Sequence, residues 1–321
     1  MANKNRRFDT MTFSDLIPPF SPAQGTFSGH ETFPFRYAWL KKGLEGLINK
    51  PALFTSEDAV VDLGVGKNMV RAIRHWCIAT RVVEEGGLLP NSRTRELEAS
   101  AFGKRLLLEP GWDAFLEDDA SLWLLHWNLA TNETRTTTWY WAYNINKDQE
   151  FTTDEMTASL GKWLEGYEVR VSASSLRNDV SCLIRTYASV KRGPGSTAEE
   201  TLECPLTNLG LMSEVPGEKR FRFHNGQKTS LPGAIFVYAL LDCWRRRHSS
   251  QQTLSVREIT YGEGSPGRVF RLDDDAVLEY LDGLEELTNG RLSFSDTVLI
   301  RQVIRRSEIE PEELLNDYYA A

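Results

Sequence analysis

Between residues 67 and 80, Val70, Ile73, Trp76 and Cys77 recur at steps of three and four, which is the apolar stripe of one helix. Lys67, Arg71, Arg74, His75 and Ile78 fall on the opposite side, with Asn68 beside them at the start. Upstream, Leu63-Gly64-Val65-Gly66 reads as a tight turn. Thr55 reads as the cap of a short helix with Glu57 and Asp58 in its first turn, where acids suit the positive end of the helix dipole. Downstream, Arg81 to Leu89 reads as the wing of a winged helix.

A similar pattern returns between Thr152 and Lys191. Thr152 and Glu155 form a capping box that opens a helix with Met156, Leu160, Trp163 and Leu164 on one side. A second helix, capped by Ser174 or Ser175, buries Leu176, Val180, Leu183, Ile184 and Tyr187 and turns Arg177, Asn178, Ser181 and Arg185 the other way. The longer connection between these two helices leaves a plain helical core element as the alternative. Further on, Asp273, Asp274 and Asp275 lead into a helix with the stripe Val277, Leu278, Leu281, Leu284 and Leu287. The aromatic run Trp123, Trp127, Trp139, Trp141 and Tyr143 reads as core, with base stacking as the lesser option.

Loop compositions at Ile17 to Pro22, Pro90 to Arg95, Lys191 to Ala198 and Tyr261 to Gly267 divide the chain. The expected class is mainly α with minor β: tandem winged-helix or helix-turn-helix-like domains over 1–110 and 111–192, then a mainly helical C-terminal domain over 193–321. The composition is globular, with 41% hydrophobic and 26% charged residues. The longest apolar run, Ala234 to Trp244, is about half of the roughly 20 residues a membrane span needs. With a polar N-terminus, this makes the cytoplasm the expected location and a membrane partner unexpected. The four cysteines, Cys77, Cys182, Cys204 and Cys243, form no CxxC pair and read as reduced thiols, two of them on apolar helix sides.

Charge restricts where any nucleic acid binds. With 37 Lys and Arg against 45 Asp and Glu, the net charge of −8 excludes indiscriminate adhesion to DNA. Contact with double-stranded DNA then depends on local cationic faces, where phosphate neutralisation releases counterions. Lys67, Asn68, Arg71 and Arg74 on the first helix and Arg177, Asn178 and Arg185 on the second are the candidate DNA-binding residues. A solvated face is the ordinary explanation for an exposed Lys and Arg helix. The short acidic helix, glycine turn and cation-bearing helix in succession favour DNA. Gly64-Val65-Gly66-Lys67 is not a phosphate loop, because Val61 stands where a glycine is required and Asn68 where Ser or Thr is required.

Several blocks carry a resemblance. Phe27-Ser28-Gly29-His30-Glu31-Thr32-Phe33 with Arg36 and Trp39 to Gly43, then Leu63 to Val70, then Leu116-Glu117-Asp118 with Leu122 to Trp127, resemble the SspB-type family of bacterial DNA phosphorothioation operons. Ser265 to Arg268 and Phe270 to Leu272 are similar further on. The resemblance implies a DNA nickase in antiviral defence, working with a cysteine desulfurase, an ATPase and an ATP-pyrophosphatase-like sulfur transferase to place sulfur in the DNA backbone.

Phosphodiester hydrolysis calls for metal-bound carboxylates or a general base beside a cation. In the first block, His30 is the candidate base or ligand, Glu31 the candidate metal ligand and Arg36 the candidate phosphate clamp, with Mg²⁺ as the expected cofactor. The competing reading is that Phe33, Phe35 and Tyr37 pack the block while His30 and Glu31 orient the turn. Asp273, Asp274 and Asp275 are a second candidate cluster, although helix-start acids explain them more simply. PD-(D/E)xK and HNH signatures are not evident. The alternative function is a non-catalytic DNA-binding adaptor or transcriptional regulator.

Overall fold

The structure is a computed structural model that describes residues 21–88, 95–189, 203–297 and 300–321. The predicted breaks at 191–198 and most of those at 17–22 and 90–95 lie outside the described residues, as does Leu89 of the expected wing. Helix predominates, with three small antiparallel sheets among the described residues, as the mainly α reading expects.

The N-terminal part runs α1 (Tyr37–Asn49), a 3-10 turn (Leu53–Thr55), α2 (Ala59–Leu63), α3 (Lys67–Ala79), the strands β1 (Val83–Leu88) and β2 (Arg95–Ala99), and α4 (Ala101–Leu107). β1 and β2 pair antiparallel from Val83 opposite Ala99 to Leu88 opposite Arg95. Gly64 closes α2 in the left-handed region at φ 61°, so the tight turn read from the sequence is real. On α3, Val70, Ile73, Trp76 and Cys77 are all buried.

The middle of the chain supplies α5 (Asp119–Ala130), α6 (Thr137–Asn144), β3 (Glu150–Phe151), α7 (Thr153–Glu165) and α8 (Ala173–Tyr187). Every residue of α5 from Ala120 to Ala130 is buried, which is why its sequence is apolar all round instead of striped. Trp123, Trp127 and Trp139 are core residues, as expected. Two of the polar side chains inside this core, Trp127 and His126, are paired. The Trp127 indole donates to Asp242 over 2.8 Å, and His126 bonds Tyr187 Oη and the Val269 carbonyl, each over 2.8 Å.

The last part runs β4 (Met212–Glu214), β5 (Phe221–Phe223), α9 (Gly233–Arg247), β6 (Thr253–Ser255), α10 (Val256–Tyr261), α11 (Pro266–Val269), α12 (Asp274–Asp282), α13 (Leu284–Leu287), β7 (Leu292–Asp296), β8 (Arg301–Arg305) and α14 (Pro311–Ala320). The sheet orders are β3-β5-β4 and β6-β8-β7. α14 packs along α9, and its Tyr318 hydroxyl donates to Asp118 at the start of α5. No helix among the described residues is long and apolar enough to cross a membrane.

Several local readings need correction. Thr55 caps no helix: its hydroxyl donates to the Ala52 carbonyl, and α2 starts only at Ala59. Ser172, not Ser174 or Ser175, caps α8 by accepting from the Ser175 N–H. The stripe from Val277 to Leu287 is broken at Gly283 into two helices, leaving Leu287 exposed. Ile78, grouped with the cations, is buried because α3 is covered on more than one side. The capping box at Thr152 and Glu155 is present as read. All four cysteines are buried free thiols.

Candidate nucleic-acid interface

The block around His30 lies between α3 and α8. Three non-glycine residues in it, Ser28, Glu31 and Thr32, have left-handed backbones, at φ 59°, 49° and 68°. Such conformations persist only where the surroundings hold them, and here both helices do. The Trp76 indole of α3 donates to the Phe33 carbonyl over 2.8 Å, and Arg185 of α8 donates to the Thr32 carbonyl over 2.5 Å. Gly29 is required by close approach, since a Cβ there would lie 2.5 Å from Nδ1 of His75.

His30 is 1% exposed and lies against Trp76 and Trp139. Its Nε2 is 2.9 Å from Oδ1 of Asp179 on α8, while Nδ1 accepts the Thr32 N–H over 3.0 Å. Asp179 also accepts the Ser28 N–H at 2.6 Å and the Thr138 hydroxyl at 2.8 Å. Burial disfavours a charge on His30, while Cys182 and Asp179 favour one. The Thr32 N–H pulls the other way, because only an Nδ1 without a proton accepts it. That directional contact assigns the neutral tautomer, in which Nε2–H donates to Asp179. With its ring inside, His30 presents no nitrogen at the surface.

Glu31 is the acidic member of the block that reaches the surface, 3.4 Å from Arg71 of α3. Arg36 stands at the N-terminal boundary of α1, its guanidinium 5.0 Å from the Trp39 ring centre. Lys67 and Asn68 are exposed on the first turn of α3, and Arg71 is 57% exposed. Arg74 is half-buried, 3.7 Å from Glu85 of β1, and desolvation lowers its pKa despite that carboxylate. On α8, Arg177 and Asn178 are exposed, and Arg177 is ion-paired with Asp154 of α7. The tertiary structure therefore brings His30, Glu31, Arg71, Arg74 and Arg185 around one loop.

Other charged residues around the loop carried no signal as site residues in the sequence. Asp179 lies on the apolar side of α8 and is buried, an unusual place for a lone acid and the available hint that something charged or hydrogen-bonding faces it. Arg135, before α6, pairs with the same Glu85 that Arg74 approaches. Arg81, assigned to the wing, instead turns inward and donates to the Thr131 carbonyl over 3.1 Å.

The described residues do not fit a carboxylate-rich Mg²⁺ site. Among the described residues no group of three or more His, Cys, Asp and Glu side chains converges. Glu31 faces Arg71, Asp273 caps α12 by accepting the Ala276 N–H, and Asp274 accepts the Tyr261 hydroxyl. The acidic run thus serves the helix start. A concavity of about 620 Å³ lies along α1 beside Tyr37, Lys41 and Phe115, and no sequence-predicted site residue lines it. A smaller recess of about 170 Å³ is bordered by Arg71, Arg74 and Arg135.

The matches to known proteins span nearly the whole chain. The family model described as "Protein of unknown function (DUF4007)" covers residues 27–319. A solved structure described as magnesium ion-bound SspB superimposes with a TM-score of 0.84 at 30% identity, covering 94% of this chain and 91% of that one. Another SspB crystal structure gives 0.82 at 31% identity, covering 93% and 90%. No curated protein matches. The chain belongs to the DUF4007 family and, at this identity and coverage, to its SspB-type proteins.

Proposed function

We propose that this protein is the DNA-binding nickase of a DNA phosphorothioation system, acting in the cytoplasm in antiviral defence. The observation that carries this reading is the placement of Arg71 of α3 and Arg185 of α8 against the His30 loop in a protein of net charge −8. We read α1, α2, α3 and the β1–β2 hairpin as a winged helix. In that geometry Lys67, Asn68 and Arg71 enter the major groove from the exposed start of α3. Arg74 lies against the adjoining phosphates, and Arg177, Asn178 and Arg185 meet the backbone from α8.

Within this reading His30 is a positioning residue: through Asp179 and Thr32 it fixes the loop that carries Glu31. Glu31 is the group of the block with access to DNA, and proton transfer there falls to it. Arg36, stacked on Trp39, borders the block as a backbone contact. Kinship with an SspB described as magnesium ion-bound supports Mg²⁺ as a cofactor. The described residues assemble no site for it, and no step is derived through the ion. A strand break would open the backbone for sulfur insertion by the desulfurase, ATPase and ATP-pyrophosphatase-like partners that the family implies.

The second reading is a non-catalytic DNA adaptor that recruits those partners, favoured by the burial of His30 and the lack of a converging acidic cluster among the described residues. Incubating the pure protein with supercoiled plasmid, in Mg²⁺ or in EDTA, separates the two. The nickase reading expects open-circular product in Mg²⁺ and none in EDTA. Bound plasmid that stays supercoiled in both leaves the adaptor.

A further inference from the structure

Behind α3, the recess of about 170 Å³ has walls from three places in the chain: Gly29 on the loop, Arg71, Arg74 and His75 on α3, and Arg135 before α6. One buried water needs roughly 10–15 Å³ of such space, so this recess is far too large to be a single water site. Its three guanidiniums meet two carboxylates. Glu31 lies 3.4 Å from Arg71, and Glu85 is shared, 3.7 Å from Arg74 and ion-paired with Arg135. One positive charge is left over, next to a half-buried Arg74 that desolvation already disfavours as a cation.

His75 adds an observation independent of the arginines. Its Nε2 is buried and has no hydrogen-bond partner among the described residues. The ring has no room to retreat, because the Gly29 backbone lies against its other nitrogen and a Cβ there would come within 2.5 Å. Burial first, then the nearby charges of Arg135 and Arg74, hold its pKa down at about 3, so the ring is neutral. A buried polar atom left without a partner is uncommon in a folded protein and calls for something to bond it.

We propose that this recess is a phosphate pocket, in which one phosphoryl oxyanion takes hydrogen bonds from Arg74 and Arg135 and from Nε2–H of His75. Guanidinium forks match an oxyanion's two oxygens in a plane, which suits them to phosphate. Glu85 is the internal occupant: it holds the two arginines until the incoming anion competes it away. That the anion is a DNA backbone phosphate rests on the DNA-binding reading above. The pocket itself rests on the geometry alone.

The test compares wild type, Glu85→Gln and Arg135→Gln, with inorganic phosphate and with a short duplex as probes. Phosphate should raise the wild-type Tm saturably and shift the His75 ring nitrogen resonance. Glu85→Gln, which frees two guanidiniums, should bind phosphate and duplex several-fold more tightly. Arg135→Gln should lose the phosphate effect and flatten the salt dependence of duplex binding by about one. No His75 response to phosphate in the wild type, or no gain in Glu85→Gln, overturns the pocket even if a variant folds poorly. Duplex bound equally by all three proteins sinks the pocket and spares the DNA reading. Phosphate protection with no duplex binding sinks the DNA reading and leaves a pocket for free phosphate.

Discussion

His30 and Asp179 are joined by a buried 2.9 Å hydrogen bond across 149 residues of sequence. The carboxylate also takes the Ser28 N–H and the Thr138 hydroxyl, so one side chain ties the loop, α6 and α8 together. Left-handed backbones at non-glycine positions cost on the order of 1 kcal/mol or more each. This node, with Arg185 and Trp76, is what holds Ser28, Glu31 and Thr32 in them.

Breaking the node should be expensive. Asp179→Ala strands a buried imidazole, a buried hydroxyl and a backbone N–H, and leaving a buried polar group unpaired costs about 1–3 kcal/mol each. Thr138→Val removes a single hydrogen bond, worth about 1 kcal/mol net. Urea unfolding followed by tryptophan fluorescence checks both. A loss below about 1 kcal/mol in Asp179→Ala would mean that the loop is held by something else.

Cation neutralisation should separate the two helices as DNA contacts. Arg71→Ala with Arg74→Ala is expected to weaken duplex binding and lower the slope of log K against log salt by about two. Arg177 already has Asp154 as an ion-pair partner, so Arg177→Ala should change the slope by less than one. Fluorescence anisotropy across a salt series measures this, and an unchanged slope in the double variant removes α3 from the interface.

Acid should destabilise the core through His126. It is fully buried, its Nε2–H donates to the Val269 carbonyl and its Nδ1 accepts from Tyr187, and burial lowers its pKa to about 4. The unfolded chain protonates near pH 6.5 while the folded one does not until about 4. Stability is therefore complete above about 6.5 and falls as pH drops toward 4, by up to about 1.4 kcal/mol per pH unit from this group. Unfolding free energies between pH 7 and 4 should show that slope reduced in His126→Phe. An identical slope in the variant would clear His126 of the effect.

What the sequence by itself determined were the features set by neighbours within a turn or two: the apolar stripes of α3 and α8, the capping box at Thr152, the left-handed turn at Gly64 and the aromatic core of α5. Helical period, side-chain caps and glycine's tolerance of positive φ are local, so they can be read from spacing. The short α2, the break at Gly283 and the burial of Ile78 depend on what packs against each element, and spacing misassigned them. The same holds for function. The sequence singled out the His30 block and the α3 and α8 cations as separate candidates, but only the tertiary structure decided that Arg71, Arg74 and Arg185 gather at the His30 loop. It also turned His30 inward onto Asp179, Arg81 inward onto Thr131, and Arg135 outward beside Arg74. Which way a polar side chain faces depends on partners more than a hundred residues away, such as Asp179 for His30, and no periodicity along the chain encodes that distance.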